Sequence, residues 1–234
     1  MKHPLSITLV CLVFLIQPIV VFAQYQKYAF GFRYGYSLPM GQFSSHKYND
    51  GAYALFGATA SIEGIYYLNE NLGFGLNISG SSYPIAVGFF LQDKDSADAD
   101  FTYIHLKSSP YYLRSFTGGI YYRIPFAERF NISFKGLGGI LWALSPDQMY
   151  AARSNLQTDL VVTWEKTSSR SIRASFIAGT ALNYKLFTNV DLMLETEFSY
   201  GRSIFGFRDL AGNRTEQKIK MPLFKMQSGL NITF

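Results

Sequence analysis

Two histidines beyond the N-terminal apolar run, His46 and His105, are the chain's candidates for general acid–base chemistry. Ser44, Ser45 and Asp50 flank the first, and Ser108 and Ser109 flank the second. Acyl transfer by a serine needs a base within hydrogen-bond reach of the hydroxyl and a third group that orients the base. Adjacency in sequence does not supply that geometry, and no motif accompanies either His, so both read as solvated loop histidines. The run DKDSADAD, Asp93 to Asp100, sets carboxylates at alternate positions, as cation-binding loops do. Against the calcium-loop template it carries Asp98 where Gly is needed and Ile104 where Glu is needed, which leaves a solvated acidic loop.

A larger charged set is interleaved with apolar residues. Arg33, Arg123, Lys135, Arg173, Lys185 and Lys225 on one side, and Glu63, Asp191, Glu195 and Glu197 on the other, each stand next to residues of opposite character. Inside a closed structure these ten groups would form either an ion path or a packed network that neutralises itself. Burial favours the network, because an uncompensated buried charge is costly. Nothing in the set calls for a cofactor or a metal.

The elements that must position these groups begin after residue 23. Lys2 and His3, the apolar stretch Leu5 to Val21 and the small residue Ala23 before Gln24 have the form of a secretory signal peptide, 1–23. Pro18, Gln17 and a length short of the roughly 20 residues a bilayer requires argue against a membrane helix there. Cys11, the single cysteine, lies inside that segment, so the expected mature chain, 24–234, has no disulfide, no cysteine-bound metal and no cysteine nucleophile. Without Lys2 there are 20 basic against 16 acidic residues, a net of +4, and no basic block is concentrated anywhere, which excludes a nucleic-acid partner.

After residue 23 the recurrent signal is period-two alternation in long runs, with 17% aromatic residues and abundant glycine. Phe30, Phe32, Tyr34 and Tyr36 alternate with Gly31, Arg33, Gly35 and Ser37 in a strand over 27–38. Further strands are expected at 52–68, 72–90, 111–124, 130–143, 170–186, 190–205 and 219–234. In the seventh, Leu192, Leu194, Thr196, Phe198 and Tyr200 interleave with Asp191, Met193, Glu195, Glu197 and Ser199. Connections after strands two, four and six are short, whereas those after one, three, five and seven are polar loops of roughly 12 to 26 residues. Eight strands with this strict alternation describe an eight-stranded antiparallel up-and-down transmembrane β-barrel, with short turns and both termini on the periplasmic side. The charged set then faces a lumen just wide enough for side chains to fill it. Tyr66, Tyr67, Tyr121, Tyr122 and Tyr184 fall just before short turns, where amphipathic rings mark a membrane boundary.

Over 24–234 the chain resembles the small outer-membrane β-barrels of the OmpA type, in particular the Gly-x-x-Tyr-rich barrels of Bacteroidetes-like bacteria. The most specific element is the closing QSGLNITF, in which Gln227, Gly229, Ile232 and Phe234 fill a pattern of polar, glycine, apolar and aromatic residues. Ile232 departs from it, an aromatic being more usual there. The resemblance implies that these four residues form the signal read by the barrel-assembly machinery, with Phe234 as its anchor. It implies outer-membrane lipid as surroundings and an unknown protein partner met through the outer loops, in a structural, adhesive or accessory role. Two alternatives accompany it: a lipid-modifying outer-membrane enzyme using His46 or His105, and a secretion accessory of the PorT type.

Overall fold

The structure is a computed structural model that describes residues 27–47, 51–97, 101–155, 161–208 and 214–234. The expected signal segment and Asp50, Asp98 and Asp100 lie outside the described residues. Eight antiparallel strands close into a ring: β1 (Tyr28–Pro39), β2 (Gly57–Tyr67), β3 (Leu72–Tyr83), β5 (Tyr111–Ala127), β6 (Phe130–Leu144), β9 (Arg170–Phe187), β10 (Val190–Arg208) and β11 (Arg214–Thr233). Sequential ring strands are spatial neighbours, and β1 pairs with β11 from Ala29↔Thr233 to Pro39↔Leu223. Tyr28 N donates to Phe234 O and Phe234 N to Tyr28 O, each at 2.9 Å, so closure continues to the last residue.

The alternation forces the faces apart. In β1 every second residue is buried, and the buried set is Ala29, Gly31, Arg33, Gly35, Ser37 and Pro39. The exposed set is Tyr28, Phe30, Phe32, Tyr34, Tyr36 and Leu38. The same inversion holds in β10, where Leu192, Leu194 and Phe198 are exposed and Glu195 and Glu197 are buried. A soluble protein rarely exposes apolar patches beyond a few hundred Å², whereas lipid accepts such a belt without cost. Among the described residues no helix is long and apolar enough to cross a membrane.

Two glycines on the closing seam are required by close approach. A β-carbon at Gly35 would run into the backbone of Met226 and Gln227, and one at Gly229 into that of Phe32 and Arg33. The small residues of the inner face therefore set how tightly β1 and β11 can meet.

The structure departs from the sequence reading at the ends of elements. The third strand stops at Tyr83 rather than running to 90, because Pro84 cannot donate to the ladder. The second begins at Gly57, and Ala54 is held only by a single bridge to Ile85. The connections expected to be polar loops are built. A single 3-10 turn, Gly41–Phe43, carries Phe43 into the barrel mouth, where it is fully buried against Tyr83 and Tyr111. Helix α1 (Val87–Ala97) and a separate three-stranded sheet of β4 (Phe101–Ser108), β7 (Gln148–Ser154) and β8 (Val161–Lys166), in the order β4-β7-β8, occupy the same end. The last long connection is a continuation of the β10–β11 hairpin, paired as far as Arg208↔Arg214.

Run end to end, the interior is layered. Near the short turns Ala29, Ile65, Tyr67, Tyr121, Leu137 and Ile177 form one apolar cluster. Toward the long connections Phe43, Tyr83, Tyr111, Phe205 and Met221 belong to a larger one. Tyr67 and Tyr121 are thus interior residues, not boundary ones, while Tyr66 and Tyr122 face outward. Parity decides it, since neighbours in a strand point to opposite faces.

Leu194 is 54% exposed in the middle of β10. Leu194→Arg is expected to lower stability by about 2 to 4 kcal/mol if the site lies near the bilayer midplane. Denaturant titration in lipid vesicles reads this, and a silent Leu194→Arg would reverse the two faces.

Candidate functional site

Between the two apolar clusters lies a charged layer. Arg33 Nε meets Glu195 Oε2 at 2.7 Å, and the same guanidinium contacts Glu63. Lys135 Nζ is 2.9 Å from Glu197 Oε2, 3.8 Å from Glu63 Oε2, and in contact with Glu195. Lys225 Nζ closes the set on Glu197 Oε1 at 2.7 Å. Three cations face three carboxylates, drawn from β1, β2, β6, β10 and β11, and all six side chains are buried. Tyr121 Oη donates to Glu63 Oε2 at 3.0 Å, and Arg33 Nε lies 2.9 Å from Met193 Sδ.

Register explains how side chains on non-adjacent strands meet. Arg33 and Met193 both pair with Gly229, one from each side, so the missing side chain on β11 lets Arg33 reach β10. The same device operates at Gly179, which pairs with Lys135 on β6 and with Glu197 on β10. Lys135 lies across it, its Cε 3.0 Å from where a β-carbon would stand. Glu197 and Lys225, by contrast, are direct cross-strand partners. Glycines beneath the long cations thus convert a ladder of pairs into one connected cluster.

Four members of the expected set do not join it. Arg123 is half-buried at the short-turn mouth, donating to Glu70 O at 3.3 Å and lying 4.4 Å over the Tyr67 ring. Lys185 is exposed at the same mouth, across the register from the buried Asp191. These three sit within a few residues of a turn, where the lumen opens to water. Arg173 is exposed at the opposite end, where β10 has left β9. The cluster also holds two residues that charge alone did not single out, Tyr121 and Met193. Tyr121 shares parity with Arg123, and that was the signal for it.

Water has little room here. Cavities of about 20 Å³ flank the cluster, one lined by Arg33, Glu63, Tyr121 and Glu195, the other by Ser79, Ser115, Ser199 and Lys225. Each holds about one water molecule. Side-chain hydrogen bonds such as Ser79–Ser115 at 2.7 Å and Ser61–Gln227 at 3.0 Å link further polar groups of the lumen. Gln227 and Gly229 of the closing segment face this interior, while Ile232 and Phe234 face outward, Phe234 stacking on Tyr28.

The histidines stand elsewhere. His46 stacks on Phe89 at 4.7 Å and on Tyr53 at 5.6 Å, and His105 is exposed on β4 at a bulge. Among the described residues neither is hydrogen-bonded to a serine hydroxyl or a carboxylate. The acidic run is a correction of the sequence reading: Asp93 to Ala97 end α1 rather than forming a solvated loop. Asp93 accepts from Tyr53 Oη and Asp95 from Tyr103 N, both at 2.6 Å, and Lys94 lies 4.1 Å over the Tyr150 ring. No group of three potential metal ligands occurs among the described residues.

A closed ring of eight strands, an apolar outer belt and a filled polar lumen define the class: an eight-stranded antiparallel membrane β-barrel. No family model matches the chain, and no curated relative does. Solved structures with a general likeness include neisserial surface protein A, with 11% identity, 88% of this chain and 97% of that one covered and a TM-score of 0.46. Ail, the attachment invasion locus protein of Yersinia pestis, gives 12%, 89%, 100% and 0.42. A major outer membrane protein from Thermus thermophilus gives 12%, 88%, 99% and 0.47.

Glu195 is the carboxylate shared by Arg33 and Lys135. Glu195→Ala takes one partner from each of them, leaving three buried cations on two carboxylates, and is expected to cost about 3 to 5 kcal/mol. Unfolding in urea with vesicles measures it, and a change below about 1 kcal/mol would show that the cluster does not act as a unit.

Proposed function

We propose that the protein is an outer-membrane barrel whose lumen is a structural plug and whose working surface is the array of long connections, used to dock a protein partner in an adhesive or accessory role. The observation that supports this reading is where the ordered chain outside the ring is placed. A helix and three strands gather at one end and pack on their own apolar cluster of Tyr103, Leu106, Tyr150 and Ala152, with Val87, Phe90 and Leu91 against it. The opposite face of that sheet carries Thr102, His105, Lys107, Met149, Arg153 and Val161, all exposed. Lys107 pairs with Met149, and Arg153 with both Thr102 and Val161. Cationic groups beside apolar ones fit an acidic partner with some apolar surface. In outer-membrane barrels long connections face outside, so the sheet stands where such a partner is met. On the same reading, Gln227, Gly229, Ile232 and Phe234 serve the assembly machinery during insertion.

Lys166, on the last strand of this sheet, lies 3.7 Å over the Phe207 ring of β10. Burial, with Lys94 adding to it, pulls its amine down to about 8. A lysine whose folded value lies below its unfolded one binds fewer protons folded, so between about 8 and 10 the docked sheet gains stability as pH rises. Amide exchange in β8, corrected for its intrinsic pH dependence, should slow across that window, and Lys166→Met should remove the trend.

Two experiments test the function. Planar-bilayer recordings of the purified barrel should show no stable ohmic steps, and large steps from a monomer would move the function to solute passage. Cells carrying Lys107→Glu with Arg153→Glu should lose adhesion or partner retention relative to wild type while the barrel keeps its heat-modifiable migration. Undiminished binding by that variant would overturn the docking face.

A further inference from the structure

One seam of the ring is open at the end that carries the long connections. β10 pairs with β9 only as far as Gly201↔Ser175. Beyond that point β10 continues on β11 to Arg208↔Arg214, and β9 continues on β6 to Arg170↔Leu144. Each strand keeps its other neighbour while the two part from each other. Two serines span the top of the gap: Ser171 Oγ accepts from Ile204 N at 2.9 Å, and Ser169 Oγ from Gly206 N at 3.0 Å. The wedge left between them has a volume of about 420 Å³ and is lined by Ser169, Arg170, Ser171, Arg173, Ile204 and Glu216, among others.

We propose that this wedge binds the phosphate of an anionic lipid in the leaflet facing the long connections. Unpaired strand edges are not tolerated against hydrocarbon, where no water can satisfy them, so this part of the seam belongs at headgroup depth. Arg170 and Arg173 both reach the wedge, both are exposed, and neither forms an ion pair among the described residues. Two guanidinium forks match the geometry of a phosphate. Glu216 is already engaged by another group of the chain.

The charge pattern beside the wedge points the same way. On the outward face of β10 and β11, Arg202 stands directly across from Lys220, with Lys218 two residues further along β11. Like charges placed directly opposite are destabilising, and an anion on the outside relieves that repulsion. On the outward face of β9 Ile172, at the wedge, is 60% exposed and Phe176, nearer the short turns, 70%, so the acyl chains of a lipid seated by its phosphate lie along them. The volume is also in the range of small-ligand sites.

Native mass spectrometry of the full barrel released from a neutral detergent tests this with three probes: a phosphorylated lipid A, the same lipid without phosphate, and inorganic phosphate as competitor. One phosphorylated lipid per barrel should be retained, the dephosphorylated one should not, and millimolar inorganic phosphate should not displace it. Arg170→Ala with Arg173→Ala should weaken retention at least about tenfold, equivalent to about 1.4 kcal/mol. Lys185→Ala, which removes a positive charge at the opposite, short-turn mouth, should leave it unchanged. Heat-modifiable migration of each variant confirms that the barrel has folded, and Arg173→Lys, which keeps the charge, serves if the double variant does not fold; it should weaken retention because the fork is lost. Equal retention of the dephosphorylated lipid, or full retention by the arginine variants, would overturn the site. Complete displacement by inorganic phosphate would overturn the lipid as its occupant.

Discussion

Hydrocarbon offers no partner to a backbone amide or carbonyl, and the rest of the molecule follows from that. A sheet in lipid has to close, and here closure falls on the pairing of β1 with β11, the first and last strands described. Closure fixes which residue types are tolerated on each face. Outside, large apolar side chains are free; inside, eight strands leave a bore that must be filled by what the inner face carries. The seam can be tight only where it lacks side chains, at Gly35 and Gly229.

Filling such a bore with charge looks wasteful until the glycines are considered. Leucines and isoleucines in the bore would add to an already apolar chain, whereas Arg33, Lys135 and Lys225 with Glu63, Glu195 and Glu197 balance one another and tie five strands together. Two of the three long cations cross a strand at a glycine, Arg33 at Gly229 and Lys135 at Gly179. Apolar clusters above and below keep this layer dry, and Phe43 enters from the mouth to complete the upper one. The interior is therefore packed rather than open.

Strand identity and facing were legible in the sequence because a period of two survives any local variation in length. Leu194 and Glu195 could be assigned to opposite faces from their neighbours alone, and the structure exposes the first and buries the second. Depth along the strand was not legible. Alternation places Arg173 and Lys185 on the same face as Lys135, yet says nothing of where a lumen opens to water or where β10 leaves β9. The long connections were misread for a different reason. Their polarity suggested loops, but the apolar residues that build α1 and the β4-β7-β8 sheet are few and lie far apart in sequence, Tyr103 and Leu106 against Tyr150. That pairing is a tertiary fact that no local pattern carries.

The central claim is that the lumen charges act as one connected cluster, with glycine gaps letting partners on non-adjacent strands bond. Lys135 and Glu197, on β6 and β10 with Gly179 of β9 between them, test it most directly. A double-mutant cycle with Lys135→Met and Glu197→Gln, read by denaturant unfolding in lipid vesicles, isolates their coupling. The account predicts a coupling of about 1 to 3 kcal/mol, so that the double variant is less damaged than the sum of the singles. Additivity within about 0.3 kcal/mol would contradict it.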